Sequence, residues 1–433
     1  MPPEPIPDPM SFTEPVTLAN CDREPIHIPG SIQPHGAMLV CDPQTQRLIF
    51  ASRNAAEVTG FEGDLIPGLD IAAIVGDKAA HDLRNAAAKA SAPGLSGVVL
   101  ALRVPGAATV FDATVHVHEG RLFIELEPCL DLGRSARQAL DLTRSLIRRI
   151  GLEDSVERIA TLGARLVRAM LGYDRVMVYR FAEDWHGHVI AEEKEDDLEP
   201  FLGLHYPASD IPRQARELYK TNLVRLIADV NSEPSPILSQ PGWPADQPVD
   251  LTHSTLRAVS PVHIEYLKNM GVAASMSISL IYRGELWGLM SCHHYSPRFV
   301  DYGARQAAKF VSQLLSAALE FRKDEEDQNT RLQSLENGKR LHEQLTADND
   351  IVRALTQHAV TALDLTKATG AVLMFNNRQY AMGQVPDENA LQGLTDWLQT
   401  TGDSFLQTSQ LSTVYPAAEA FADVGAGLLA IVL

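Results

Sequence analysis

The chain has few cysteines. Cys21, Cys41, Cys129 and Cys292 are scattered through 433 residues with no CxxC pair, which argues against both a disulfide framework and a zinc ribbon. Positive charge is also short, since 37 Lys and Arg face 55 Asp and Glu for a formal net charge of -18. A nucleic-acid partner would need a clustered basic excess. No apolar run approaches the roughly 20 residues that span a bilayer. The N-terminus is acidic and Pro-rich, without the basic and apolar regions of a signal peptide. The expectation is a soluble, cytoplasmic protein with neither nucleic acid nor membrane as partner. What remains is ordinary globular composition, 45% hydrophobic and 21% charged, over a length that suits about three domains.

The stretch Pro207-Ala208-Ser209-Asp210-Ile211-Pro212 brackets a carboxylate between two prolines ahead of a helix-like run, Arg213 to Val230. Two fixed φ angles hold Asp210 at the mouth of that run. Two readings stand: plain helix capping, at which Asp excels, or a carboxylate held for a ligand. Cys21 lies in a polar, irregular segment with nothing apolar to pack it, and reads as an attachment point. The other three cysteines lie in or beside strand-like runs and read as core.

Residues 1–17 read as a disordered Pro-rich arm. Strand runs at Ala37 to Val40, Arg47 to Phe50, Gly97 to Val104, Thr109 to Val117 and Leu122 to Leu126, with a short helix from Asn54 to Thr59, make a small α+β unit. Asp131 to Ile150 and Asp154 to Met170 read as helices, and Arg175 to Arg180 with Gly187 to Ile190 as a hairpin. Asn231 to Leu256 is too long and Pro-rich for an ordinary connection. Met276 to Ile281 and Leu286 to His294 form a hairpin around Arg283-Gly284. On its first strand Ser275, Ser277 and Ser279 share one face, which periodicity alone assigns to solvent or to a polar ligand. Tyr302 to Leu345 is a long helix whose stripe from Phe310 to Leu319 suits a core or a second subunit. Ala371 to Phe375 and Arg378 to Met382 flank Asn376-Asn377 as a hairpin, and a helix spans Glu388 to Thr400. The apolar run ending at Leu433 reads as an unfinished domain.

The Pro207–Pro212 loop with Gln214 to Tyr219, the segment Ile28 to Gly36, the segment Arg257 to Leu267 and the segment Leu286 to His294 together resemble phytochromes, and the bacteriophytochromes among them. The resemblance implies an α+β multidomain chain: a PAS domain over 18–130, a GAF chromophore domain over 131–320, and a connecting helix with an incomplete PHY domain over 321–433. It also implies a figure-of-eight knot, with Ile32 inside a lasso formed by the 231–256 loop. The implied function is a red/far-red photoreceptor that binds biliverdin IXα and switches by D-ring isomerisation, as the sensory module of a two-component-type protein.

Carried over by residue, Cys21 would form the thioether to the A-ring side chain. The Asp210 carbonyl would meet the pyrrole N–H groups, with Ile211 and Pro212 alongside, and its carboxylate would face the D-ring side. His263 would adjoin the pyrroles through water. Tyr219, Arg225, Arg257, Ser260, Ser275 and Ser277 would hold the propionates, while Tyr179, Tyr206, Tyr266 and His293 would line the D-ring pocket. Plant and cyanobacterial phytochromes attach through a cysteine just before the histidine of the second segment, where this chain has Val262; that departure assigns attachment to Cys21 and points to biliverdin.

Residue by residue, blander readings stand beside these. Tyr179 on a strand suits a core, and His294 should point away from His293. Cys292-His293-His294 is no metal site, because adjacent strand residues face opposite sides. The rival function is a GAF sensor of a cyclic nucleotide or another small molecule. An enzyme is not expected in this chain, since Leu341-His342-Glu343 faintly resembles a phosphoacceptor helix but no Gly-rich ATP-binding segment follows. The partners implied are the bilin, a second copy through the GAF and connecting helices, and an output kinase or response regulator outside this chain. With PHY incomplete, the far-red-absorbing state should be partly formed or short-lived.

Overall fold

The computed structural model describes residues 16–17, 20–90, 95–130, 148–150, 153–238, 248–402 and 404–432. The expected arm up to residue 15, most of the expected helix over 131–150, the middle of the Pro-rich loop and Leu433 lie outside the described residues. The chain divides into two compact units, residues 1–323 and 324–433.

The first unit opens with a single 3-10 turn at Cys21–Arg23, then β1 (Ser31–Ile32), β2 (Ala37–Cys41), β3 (Leu48–Ala51), α1 (Ala55–Thr59), α2 (Ile71–Val75), α3 (Asp77–Lys89), β4 (Gly97–Arg103), β5 (Val110–His118) and β6 (Arg121–Pro128). The strands form an antiparallel sheet in the order β3-β2-β6-β5-β4. Its core includes Leu39, Phe111, Phe123 and Ile124, all within 1% of full burial. Helices α2 and α3 are absent from the sequence reading. The buried face of α3 is made almost entirely of small residues, Ala79, Ala80 and Ala86 beside Leu83, and the two helices are separated by Gly76 at φ 84°, a conformation glycine adopts without strain.

A second sheet follows, built from α4 (Val156–Leu171), β7 (Arg175–Phe181), β8 (Gly187–Lys194), β9 (His205–Tyr206), a 3-10 turn at Ala208–Asp210, α5 (Arg213–Thr221), β10 (Val224–Ile227), β11 (Ser235–Pro236), α6 (Pro261–Asn269), β12 (Ala274–Tyr282), β13 (Glu285–His294) and α7 (Tyr302–Ala347). The strand order is β10-β12-β13-β7-β8-β9, while β11 pairs with β1. Ser155 caps α4 by accepting from the Arg158 N–H at 3.3 Å, an interaction that contributes about 1 kcal/mol. The buried face of α4 packs with Val311, Leu315 and Leu319 of α7, while Phe310 of the expected stripe is exposed.

The helix expected from Arg213 to Val230 stops at Thr221. Asn222 leaves helical geometry at φ -103° and ψ 89°, and Val224-Arg225-Leu226-Ile227 continue as an edge strand paired with β12. The β-branched residues at its two ends suit a pleated, half-buried position.

Segment 27–33 is hydrogen-bonded to both limbs of the 230–258 loop. His27 and Gly30 carbonyls accept from Leu251 and Ile237, and the Gln33 N–H donates to the Leu256 carbonyl, all at 2.8 to 2.9 Å. Ile32 is fully buried and bridges Arg257.

In the second unit the latter part of α7 is followed by α8 (Ile351–Thr356), β14 (Gly370–Phe375), β15 (Arg378–Gly383), α9 (Glu388–Thr401), β16 (Phe405–Thr408), α10 (Leu411–Val414) and β17 (Leu428–Ile431). Asn376 and Asn377 both take positive φ, 51° and 60°, in the two-residue turn between β14 and β15, the geometry that matches the twist of a hairpin. The apolar C-terminal run is not left single, because β17 pairs with β16.

Candidate functional site

A cavity of about 620 Å³ lies within the first unit, walled by α5, α6, β10, β12 and the N-terminal segment around Cys21. Its construction starts at Pro207–Pro212. The N-cap of α5 is Pro212, with no side-chain cap, so Asp210 does not cap that helix. Its carboxylate accepts from the Tyr266 hydroxyl of α6 at 3.4 Å, and burial raises its pKa against the lowering effect of that bond. Arg216 buttresses the loop by donating to the Ile211 carbonyl at 2.9 Å while its guanidinium stacks 4.5 Å from the Trp185 ring.

Strand β10 carries Arg225 into the cavity wall, and the segment before α6 brings Arg257 beside it. Arg225 donates to the carbonyls of Thr255 at 3.1 Å, Ala258 at 3.0 Å and Arg257. Arg257, 5% exposed, donates to the carbonyls of Leu251 and Thr252. Neither guanidinium is ion-paired to a carboxylate among the described residues. Burial and the neighbouring Arg257 pull Arg225 down to about 9, and burial pulls Arg257 to about 10; both stay charged at neutral pH. Among the described residues both guanidinium groups are hydrogen-bonded to main-chain carbonyls, with Glu125 acting on both and Asp250 on Arg257 through space, so neither has a directly paired carboxylate in the wall.

The serine face is not solvent. Ser275 and Ser279 are buried and Ser277 lines the cavity, because α5 lies over this face: the Ser279 hydroxyl donates to the Tyr219 carbonyl at 2.7 Å, and the Tyr219 hydroxyl reaches Ser277 at 3.5 Å. The opposite face of β12, Met276, Ile278 and Leu280, enters the apolar core.

Cys21 lines the same cavity, and its carbonyl accepts from Gln214 of α5 at 2.5 Å. Burial, then the charge of Asp22, raises the thiol pKa. His263 also faces the cavity and is held neutral, its pKa lowered to about 4 by burial and by Arg225.

The structure therefore brings Cys21, Asp210, Ile211, Pro212, Tyr219, Arg225, Arg257, Ser260, His263, Tyr266 and Ser277 to one wall. Tyr179, Tyr206, Ser275 and His293 stand outside it. Tyr179 and Tyr206, with ring centroids 6.0 Å apart, belong to an apolar cluster that shares Ile211 and Tyr219 with the wall. His293 is buried on β13 opposite Ser275, contacts Ser291 at 3.1 Å, and has its pKa lowered to about 3 by burial, Arg175 and His263. His294 points elsewhere and pairs with Asp174 at 2.7 Å.

Glu24 is a cavity residue that the sequence reading missed. Its carboxylate accepts from Ser260 at 2.6 Å, and burial raises its pKa. Only the docking of the N-terminal segment on α6 makes that contact; its nearest signal in sequence is adjacency to Cys21.

Fold and cavity together define a first unit of two antiparallel sheets with flanking helices, whose chamber lies between the second sheet, its helices and the N-terminal segment. The PAS fold model matches residues 21–129, the GAF domain model 155–319 and the phytochrome region model 333–433. Cyanobacterial phytochrome B of Nostoc sp. is 38% identical over 96% of this chain and 56% of its own length, and the bacteriophytochrome of Xanthomonas campestris pv. campestris is 35% identical over 93% and 63%. Among solved structures, the Stigmatella aurantiaca phytochrome photosensory core module is 39% identical, with 97% of this chain and 84% of that chain covered at a TM-score of 0.75. A bacteriophytochrome from R. palustris matches at 34% identity, 95% and 83% coverage, and the same TM-score. The chain belongs to the phytochrome family. It spans about half the length of the first of these curated relatives. Among the described residues no helix is long and apolar enough to cross a membrane.

Proposed function

We propose that this chain is the light-sensing module of a red/far-red photoreceptor, that its cavity takes a bilin, and that the bilin is biliverdin IXα attached at Cys21. The observation that carries this reading is the pair of cations, Arg225 and Arg257, without ion-paired carboxylates among the described residues, in a chamber whose volume falls in the range of small-molecule sites. A ligand with two carboxylates supplies what that wall lacks, and a guanidinium meets a carboxylate in two places. Ser260, Ser277 and Tyr219 add hydroxyls on the same wall.

Attachment adds the Cys21 S–H across a side-chain double bond of the ligand, sulfur to one carbon and hydrogen to its neighbour, so no oxidant is consumed. The bound bilin would supply absorption of red light and isomerisation at the D-ring bridge. The residues of the chain do the rest: His263, held neutral, stands beside the pyrroles as a hydrogen-bonding group, and Asp210 offers its carbonyl to their N–H groups. Tyr179, Tyr206, Tyr266 and His293 shape the D-ring end, where the Asp210–Tyr266 bond is the contact that a change of ring geometry would re-pair.

The same reading includes a PAS domain over 18–130, a GAF domain over 131–320 and a connecting helix with an incomplete PHY domain over 321–433, threading of Ile32 through the 231–256 loop, and self-association through the GAF and connecting helices. His342 is exposed on α7, and no ATP-dependent labelling of it is expected in this chain.

The test is an absorption spectrum of the chain with biliverdin before and after red light, beside Cys21→Ser, followed by a denaturing gel imaged for pigment. A red band that changes on illumination, with pigment kept on the gel only when Cys21 is present, supports the proposal. Without a red band the chamber serves some other small molecule.

A further inference from the structure

A second set of ligating side chains lies outside the cavity, where residues 248–256 run along the β5–β6 hairpin. β5 ends at His118, and Glu119 and Gly120, with φ of 47° and 73°, make the turn into β6. Arg121 ties the turn to the loop by donating to the Pro248 carbonyl at 3.2 Å. Oδ1 of Asp250 accepts from the Thr252 N–H at 2.7 Å, and its Oδ2 lies 3.3 Å from His118 Nε2. That nitrogen is enclosed, and the Asp250 carboxylate beside it is at ion-pair distance. One ligand atom each from His118, Glu119 and Asp250 falls within 4.8 Å of the other two. His253 packs edge-on to His118, ring centroids 4.8 Å apart.

An imidazole nitrogen and a carboxylate oxygen at this separation are also placed to serve as two donors to a third body. Bonds of about 2.0 to 2.2 Å to a tetrahedral ion put neighbouring ligand atoms about 3.3 to 3.5 Å apart, which matches the His118–Asp250 separation. One imidazole and two carboxylates leave a fourth position for water or for His253.

We propose that His118, Glu119 and Asp250 form a site for a divalent ion of the zinc class, which clasps the 248–256 loop to the β5–β6 hairpin. The consequence reaches the cavity, because the Leu251 and Thr252 carbonyls that accept from Arg257 lie next to Asp250 in the chain. An ion on Asp250 fixes the peptide that positions one of the two cavity cations. Metal occupancy and the binding of an acidic ligand then reinforce each other by the same factor in both directions.

The full chain, prepared without pigment because tetrapyrroles themselves take zinc, is stripped with a chelator and titrated calorimetrically with zinc sulfate. One equivalent should bind, and His118→Ala and Asp250→Asn should each weaken it at least tenfold. Removing the separate His186 and His205 cluster, whose rings lie 5.3 Å apart, should leave it unchanged. Asp250→Asn keeps the size of the side chain, so circular dichroism and the metal-free thermal midpoint check its fold. Zinc should raise the midpoint of the parent and not that of the variant. The proposal is overturned if the parent takes up no stoichiometric zinc, or if both ligand variants bind it as the parent does.

Discussion

Arg225 donates through its guanidinium to the main-chain carbonyl of Arg257, so one cavity cation holds the peptide from which the other projects. The two are a mechanical pair as well as an electrical one, and a change at either reaches both.

In a Cys21→Ser background, Arg225→Gln and Arg257→Gln should each weaken non-covalent biliverdin binding by roughly tenfold to a hundredfold, the size of a lost charge-assisted bond of about 1.5 to 3 kcal/mol. The double variant should fall short of the summed effect, since the residues share a peptide. Absorbance titration measures this, and unchanged affinity in both single variants would remove the ligand carboxylates from this wall.

Attachment should quicken with pH. Burial and Asp22 raise the Cys21 thiol above its ordinary value, so the nucleophilic thiolate is scarce at pH 7 and grows as pH climbs toward that value. The rate of covalent pigment formation, followed on denaturing gels from pH 7 to 9, should rise throughout. A flat profile would show that thiolate formation does not limit the step.

Stability of the pigment-free chain should fall on acidification. His116, His263 and His293 are held neutral, with pKa values lowered from 6.5 to about 3, 4 and 3. The unfolded chain therefore binds more protons, and their contribution, complete above pH 6.5, is lost as pH falls toward 4. Glu125 opposes this: burial raises it from 4.5 to about 7, so its contribution is lost as pH rises through that interval. Asp210 and Glu24, raised but less buried, act in the same sense as Glu125. The thermal midpoint should climb between pH 4.5 and 6.5, and more steeply in Glu125→Gln. A level or descending curve would contradict the assignment.

Gly187→Ala should act through Tyr179. A Cβ at position 187 would lie 1.5 Å from Cζ of that ring, which packs edge-on to Phe181 at 5.3 Å. Displacing the ring should cost about 1 to 3 kcal/mol in urea unfolding, and Tyr179→Leu in the same chain should recover much of it. Additive losses would mean that the glycine serves only its own backbone.

Hairpins were the most legible elements in the sequence. The alternation along Met276 to Ile281 and Leu286 to His294, with turn residues between, admits little else, and Asn376-Asn377 names its own turn. The run from Arg213 to Val230 misled because a helix and an edge strand follow one another with only Asn222 and Leu223 between them. Alternation also placed Ser275, Ser277 and Ser279 on one face, but what covers a face is decided by elements distant in sequence, here α5. The site divides the same way. Cys21 and Asp210 stood out through local chemistry joined to family resemblance, and the two arginines through the resemblance alone, whereas Glu24 meets Ser260 across 236 positions, which no local pattern encodes.

Gln33 grips the outer edge of β10, its side chain donating to the Leu226 carbonyl at 2.7 Å and accepting from the Ala228 N–H at 3.4 Å. Gln33 and Leu226 are 193 positions apart, so at a synthesis rate of about 5 to 20 residues per second the ribosome makes the second about 10 to 40 seconds after the first. Throughout that interval the N-terminal segment, with Cys21 upon it, waits without its strand, its loop or its cavity. Slower translation lengthens the wait, and cooler growth weakens the apolar attraction between such waiting chains. Yield of correctly assembled protein should therefore respond to the pace of synthesis as strongly as to its amount.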